Sequence, residues 1–248
     1  MAFYFGEKEG DELMRKINLR DINHHAKQWD HPVKGLFKYA HSMKENGGNI
    51  LKLSKKDRER YCLSLVGLCL RDESSLDWWV HTPNSDPPDG LVMTLKQENN
   101  GGYMGYMREI EVVEHRDAPE NIFDVIKNKM VEKTYEPNTV LVCLALTPAI
   151  YDFQKLATIL TAIKSSLKHI FVVFTGIPLT YGLPTSDQIQ TTYTMIQLVP
   201  VFQQITIDSR SHLNDFKEKY EKGKESRLIE NNDVHYGTAN PKYMRNSN

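Results

Sequence analysis

The sequence has few cysteines and little net charge, and both shortages narrow the classes of protein that it can encode. Its 248 residues include three cysteines, which is too few for a disulfide framework. None of them belongs to a CxxC pair of the zinc or redox type. Cys62 and Cys69 are seven positions apart on a predicted helix, so we expect them to be small core residues. The formal net charge of -1 excludes an overall basic surface, so any nucleic-acid binding has to use a local cluster of Lys and Arg.

Long apolar runs and targeting patterns are also missing. No apolar run reaches the roughly 18 residues of a transmembrane helix, and the start MAFYFGEKEGDELMRK lacks the basic and apolar regions of a signal peptide. The P-loop, G-x-S-x-G and G-x-G-x-x-G motifs are absent, which disfavours NTPases, α/β-hydrolases and dinucleotide-binding proteins. We therefore expect a protein of the reducing cytoplasm without a membrane partner.

The order of the predicted elements indicates an α/β fold in which helices sandwich a mixed β-sheet. A helix capped by Ser54 is followed by a hairpin around the QENNGG turn, and then by alternating helices and strands. The runs NTVLVCLAL and IFVVFTG are apolar without alternation, as is typical of parallel strands buried on both faces. Residues 1–50 are predicted as a polar, partly helical extension, 51–220 as the α/β domain, and 221–248 as a flexible tail.

Acidic side chains mark the two strands of the predicted hairpin. Asp89 opens the first strand, and Glu109 and Glu111 lie on one face of the second because side chains alternate along a strand. Two carboxylates about 7 Å apart repel each other unless a cation or a base lies between them. Oxygen donors of this kind suit Mg²⁺ or Mn²⁺. The sequence therefore predicts a metal site formed by Asp89, Glu109 and Glu111.

Across residues 55–175 the chain resembles the PD-(D/E)xK nuclease superfamily. The resemblance is carried by Pro88-Asp89, by an acid in the middle of the next strand, and by the order helix, hairpin, helix, strand. It implies a restriction-endonuclease-like core that hydrolyses phosphodiester bonds with Mg²⁺ or Mn²⁺. The implied partner is nucleic acid, with DNA preferred over RNA, and a homodimer is left open.

The motif lysine of that family is missing. Two positions after Glu109 this chain has Glu111, and two positions after Glu111 it has Val113. Some members of the superfamily use Glu-x-Glu, and in others the lysine lies on the following helix, where this chain has Lys127 and Lys129. The resemblance therefore implies Asp89, Glu109, Glu111, Lys127 and Lys129 as catalytic residues. An outer ligand on the preceding helix would be Glu59, and Glu114 would face away from the other strand acids.

Plainer interpretations exist for the same residues. Asp89 alone is typical of a turn, and a pair of glutamates is typical of a solvated sheet face. The alternative to an enzyme is a catalytically inactive α/β interaction or regulatory module that has kept the nuclease-like fold.

The cluster of His24, His25, Asp30 and His31 does not have zinc-site spacing, so we expect a surface segment there. Of the adjacent Trp78 and Trp79, one is expected in the core. Arg108, Arg116, Lys127, Lys129 and Lys133 could form a modest basic rim for a phosphate backbone, but a charge run of this kind is more often a solvated helix face.

Overall fold

The computed structural model describes residues 15–17, 29–83, 88–97, 103–116, 121–132, 134–136, 139–146, 151–175 and 192–216. Several predicted features lie outside these ranges: the QENNGG turn, the loop 177–190, the tail 221–248, His24, His25 and Lys133. The elements, in chain order, are β1 (Arg15–Ile17), α1 (Pro32–Glu45), a short 3₁₀ turn (Ile50–Lys52), α2 (Lys55–Ser74), β2 (Trp78–His81), β3 (Gly90–Gln97), β4 (Tyr103–His115), α3 (Ile122–Glu132), β5 (Val140–Ala145), α4 (Phe153–Thr161), β6 (His169–Phe174), β7 (Thr192–Val199), β8 (Gln203–Asp208) and α5 (Ser209–Phe216).

The strands form one mixed sheet in the order β2-β3-β4-β5-β6-β7-β8. The pairs β2-β3 and β3-β4 are antiparallel. The pairs β4-β5 and β5-β6 are parallel. Strands β6, β7 and β8 are again antiparallel. Strand β1 pairs with residues 105–107 of β4. On the same edge of β4, strand β5 pairs from Ile110 onward. The predicted α/β class with a mixed, partly parallel sheet is confirmed.

Helix α2 is the centre of the larger core. Ser54 begins it as predicted, because its hydroxyl oxygen accepts the backbone N–H of Asp57 at 3.1 Å. The sequence places Tyr61, Cys62, Leu65, Val66, Cys69 and Leu70 on one side of this helix. Burial extends further, because Leu63, Leu65 and Leu68, on different sides of the helix, all have no exposed surface. A helix that is apolar around its central turns has to be enclosed on every side there. The sheet covers α2 on one side, and α1 and α5 lie across its other side.

The second core lies on the opposite face of the sheet, under α3 and α4. Strand residues alternate between the two cores: Ile110 and Val112 of β4 belong to the α2 side, and Val113 belongs to the α3 side. Both β5 and β6 contribute to both cores, which confirms that these runs are strands buried on both faces.

Helix α4 ends earlier than its sequence pattern predicts. The amphipathic run extends to His169, but the helix ends at Thr161. The serines that follow bond to other backbone groups: the Ser165 hydroxyl donates to the Met130 carbonyl at 3.1 Å, and Ser166 accepts the Tyr135 N–H at 2.9 Å. Serine hydroxyls compete with helical hydrogen bonds in this way. Strand β7 was not predicted at all, although TYTMIQLV is rich in β-formers.

Two expectations about exposure were wrong, those for His31 and Arg108, whereas the core role expected for the tryptophans is confirmed. His31 is 1% exposed, because it caps α1 and its Nδ1 accepts the Val33 N–H. Arg108 is 7% exposed, because it lies on the α2 face of β4 together with Ile110 and therefore is not part of a basic rim. Both Trp78 and Trp79 are buried. Cys62 and Cys69 are core residues as predicted, and burial raises the pKa of both thiols.

None of the helices within the described ranges combines the length and the apolar character that crossing a bilayer requires.

Candidate functional site

Asp89 lies at the end of the sheet where β3 begins, and its side chain is buried. The ladder between β3 and β4 ends at the pair Gly90 and Ile110. Just beyond this pair, Asp89 Oδ2 accepts the backbone N–H of Val112 at 2.8 Å. The carboxylate therefore satisfies a strand N–H that β3 no longer reaches. Its other oxygen, Oδ1, lies 3.1 Å from Lys55 Nζ in the first turn of α2.

Glu59 brings a second buried carboxylate to the same place. It lies one turn into α2, and its side chain is 1% exposed. Lys55 Nζ is 3.1 Å from Glu59 Oε1, and Lys56 Nζ is 3.1 Å from Glu59 Oε2. The (i, i+4) and (i, i+3) spacings of a helix place both lysines beside the glutamate. Lys55 therefore joins Glu59 to Asp89 across the contact between α2 and β3.

The pKa values of these groups follow from burial and from the two ammonium groups. Burial raises the pKa of Glu59, and the negative charge of Asp89 adds to this effect, although Lys55 and Lys56 oppose it. Burial alone would lower the pKa of Lys55, but its contacts with Asp89 and Glu59 raise it overall. Lys55 is therefore charged at neutral pH and compensates the two acids.

A second ion-pair group lies farther along β4 on the α2 face. Arg58 Nε donates to Glu114 Oε1 at 2.6 Å, and Arg116 Nη2 lies 2.7 Å from Glu114 Oε2. Arg58 is 5% exposed at its side chain and also donates to the Leu53 carbonyl. The two guanidinium groups lower the pKa of Glu114 even though burial raises it. As expected, Glu114 faces away from Glu111.

Glu111 is on the α3 face of the sheet. Its Oε1 lies 3.9 Å from Lys129 Nζ, and Lys129 also contacts Glu132 at 2.9 Å. Glu109 precedes it on the same face, half-buried and opposite Leu91. Lys127 does not join this pair, because its Nζ lies over the ring of Phe123, 5.6 Å from the ring centroid. The predicted site residues thus fall into two places: Asp89 with α2, and Glu111 with Lys129 of α3.

Tyr135 is buried, and burial raises the pKa of its phenol to about 12. The negative charges of Glu111, Glu132 and Asp89 add to this effect.

The donor chemistry fits a hard divalent cation, but the described ranges do not contain a complete ligand set. No three His, Cys, Asp or Glu side chains within these ranges are arranged to hold a metal ion. The nearest approach to such a set is the pair Glu59 and Asp89. Although lysines lie 3.1 Å from both Glu59 oxygens, neither oxygen has an aligned hydrogen bond within the described part. Carboxylate oxygens are ligands that Mg²⁺ and Mn²⁺ prefer, and at this pair lysine ammonium groups lie beside them instead.

Lys55 is the residue that sequence reasoning missed here. Its signal was present, because Lys55 and Glu59 have the (i, i+4) spacing of a helical ion pair. The spacing does not indicate that Asp89, 34 positions later, would complete the group, since this depends on how β3 packs against α2.

The fold defines an α/β protein with a mixed sheet between helices. Comparison of the chain with protein-family models, with curated proteins and with solved structures finds no match.

Proposed function

We propose that this protein is a metal-dependent nuclease with a restriction-endonuclease-like core, which hydrolyses phosphodiester bonds in nucleic acid. The observation that carries the proposal is the order α2-β2-β3-β4-α3-β5, with an antiparallel β2-β3-β4 unit and β5 parallel to β4. The elements α2, β3-β4, α3 and β5 follow the order helix, hairpin, helix, strand on which the resemblance to the PD-(D/E)xK superfamily rests. The acids Glu59, Asp89 and Glu111 support the proposal, because Lys55 contacts both Glu59 and Asp89, and Asp89 accepts the N–H of the residue after Glu111.

In this proposal Asp89, Glu109 and Glu111 hold Mg²⁺ or Mn²⁺, with Glu59 as a further oxygen donor. A bound divalent ion would supply an acidified water and would neutralise negative charge on the phosphate. The hydrogen bond from the Val112 N–H fixes the orientation of the Asp89 carboxylate. Lys129, whose Nζ lies 3.9 Å from Glu111 Oε1, would orient a water held at this site, and Lys127 on the same helix is the second candidate for this role.

Basic side chains around the acids support a nucleic-acid partner. Lys52 and Lys55 are exposed, and the Arg116 side chain is 56% exposed at the end of β4. Exposed ammonium and guanidinium groups contact phosphates and release counterions, which gives salt-dependent binding. With DNA as the substrate, this local cluster compensates for the lack of an overall positive charge.

The test is cleavage of supercoiled plasmid DNA with Mg²⁺ or Mn²⁺. We expect nicked or linear products from the wild type, and loss of at least roughly two orders of magnitude in rate in Asp89→Asn and Glu111→Gln. Glu45→Gln is the matched control, because Glu45 is an exposed carboxylate that contacts only His41 among its ion pairs within the described ranges. Equal cleavage by the wild type and both site variants would contradict the proposal.

A specific observation favours a second candidate, an inactive interaction or regulatory module. Two of the predicted metal ligands already have a base beside them: Lys55 lies beside Asp89, and Lys129 lies beside Glu111. Acids compensated in this way do not need a metal for stability. A wild type that binds DNA in a salt-dependent manner but leaves it intact with every divalent ion would support this second function.

A further inference from the structure

We propose that Lys55 is a built-in counter-ion that occupies the Glu59–Asp89 carboxylate pair and must leave it before a divalent cation can bind there. The inference concerns regulation of the proposed site, so its biological meaning rests on the proposed function. Its physical basis is the single ammonium group that lies 3.1 Å from an oxygen of each acid.

The two acids need a cation between them. Glu59 is almost completely buried and Asp89 is 6% exposed, so water does not separate their charges well. Like charges at such a site repel each other strongly unless a positive group lies between them. Lys55 meets this need in the structure, and it therefore occupies the position where a divalent ion would have the same electrostatic benefit.

Lys55 is suited to leave. Its side chain is 56% exposed, on a flexible four-carbon stem in the first turn of α2. A lysine at such a position can rotate into solvent without breaking the core packing of the helix. The remaining contacts of the acids stay in place, since the Val112 N–H still bonds Asp89 and Lys56 still contacts Glu59.

The displaced ammonium remains at the mouth of the site. Lys55 Nζ can then contact a non-bridging phosphate oxygen of a bound nucleic acid, because it is tethered beside the acids that hold the ion. The competition therefore couples two events: entry of the divalent ion, and release of a cationic group for the substrate.

The test measures cation binding directly, by thermal shift in titrations with Mn²⁺ and Ca²⁺ and without nucleic acid. Lys55→Met removes the competing charge, so we expect its half-maximal Mn²⁺ concentration to fall roughly tenfold relative to the wild type. Lys56→Met is the matched control: it removes a lysine that contacts Glu59 but not Asp89 among the described ion pairs, and we expect a much smaller change. The double variant Lys55→Met/Asp89→Asn should lose the response.

The outcomes separate this inference from the proposed function. Equal Mn²⁺ midpoints for the wild type, Lys55→Met and Lys55→Gln would overturn the competition, whether or not the protein cleaves DNA. The absence of any Mn²⁺ response in Lys55→Met and Lys55→Gln would overturn it as well. Conversely, a lower Mn²⁺ midpoint in Lys55→Met than in the wild type, together with a wild type that does not cleave DNA, would leave the competition standing and remove only the nuclease proposal. Lys55→Gln also removes the charge but keeps a polar side chain, so it serves if Lys55→Met does not fold.

Discussion

The two faces of β4 hold their acids in different ways. On the α2 face, Glu114 of β4 forms an ion pair with Arg58 at 2.6 Å. Glu59, which α2 itself brings to this face, has two lysines at 3.1 Å. On the α3 face, Glu111 has a lysine at 3.9 Å, and that lysine is shared with Glu132. The α2 face is therefore a tight, buried electrostatic network, and the α3 face is a looser arrangement.

The difference reflects what each helix offers. The first two turns of α2 carry Lys55, Lys56 and Arg58 under the end of the sheet, so each buried acid there has a base close by. Helix α3 packs on the sheet through one apolar stripe, and its lysines lie at the side of that contact. The comparison indicates that the α2 face contributes more to stability, whereas the α3 face has an acid and a base less tightly bound to each other.

Removal of the Arg58–Glu114 ion pair on the α2 face should have the largest effect on the unfolding free energy. Arg58→Met leaves Glu114 with Arg116 as its remaining partner among the described ion pairs and leaves the Leu53 carbonyl without this donor. Removal of one partner of a buried ion pair costs about 3 to 5 kcal/mol of unfolding free energy. Urea unfolding followed by circular dichroism measures this loss.

The matched control is Arg60→Met. Arg60 contacts Asp57 at 2.7 Å near the surface, with both side chains partly exposed, so the loss should stay below about 1 kcal/mol. A loss in Arg58→Met no larger than in Arg60→Met would show that the buried ion pair on the α2 face contributes no more to stability than a surface pair.

The two glutamates of the α2 face should respond to pH in opposite directions. The arginines lower the pKa of Glu114 below its ordinary value of 4.5, so its stabilising contribution is complete above pH 4.5 and is lost as pH falls below it. Burial raises the pKa of Glu59 above 4.5, so its protonated form stabilises at low pH, and this contribution is lost as pH rises above 4.5.

The measurement is the unfolding free energy of the wild type, Glu114→Gln and Glu59→Gln between pH 3.5 and pH 7, a range that includes the ordinary glutamate pKa of 4.5. As pH rises, the advantage of the wild type over Glu114→Gln should grow, and its advantage over Glu59→Gln should shrink. Slopes of the same sign for both variants would contradict the assigned directions of the pKa shifts.

The smallest effect is expected on the α3 face. Lys129→Met removes a contact of 3.9 Å to Glu111 and a surface contact to Glu132, so the unfolding free energy should change by less than about 1 kcal/mol. The same variant should change cleavage strongly if Lys129 acts in the proposed reaction. A large loss of stability would instead assign Lys129 a structural role, and Lys127→Met provides the comparison on the same helix.

The sequence predicted most of the fold because local signals agreed with the tertiary arrangement. The Ser54 cap, the alternation along β4 and the uninterrupted apolar runs of β5 and β6 each have a direct structural cause. The sequence did not predict strand β7 or the early end of α4. Both depend on contacts with distant partners, such as the bond from Ser165 to Met130.

The candidate site was less predictable than the fold. The acids were visible as residue types, but their partners lie far away in sequence: Lys55 is 34 positions from Asp89, and Arg58 is 56 positions from Glu114. Alternation along the strand does separate Glu114 from Glu111. It does not indicate which face α2 covers, and that face determines which bases surround each acid.

The enclosure of α2 has a consequence for any shortened version of the chain. The segment 1–50, predicted as an extension, includes Trp29, Val33 and Leu36, which pack into the same core as α2, and Phe216 closes that core near the other end of the chain. A truncation that starts at residue 51 or stops before residue 209 would remove part of the core around α2, the helix with the most buried residues among those described. Such fragments should aggregate, and crystallisation or expression trials are best designed to keep residues 15–216 in one piece, because β1 pairs with β4.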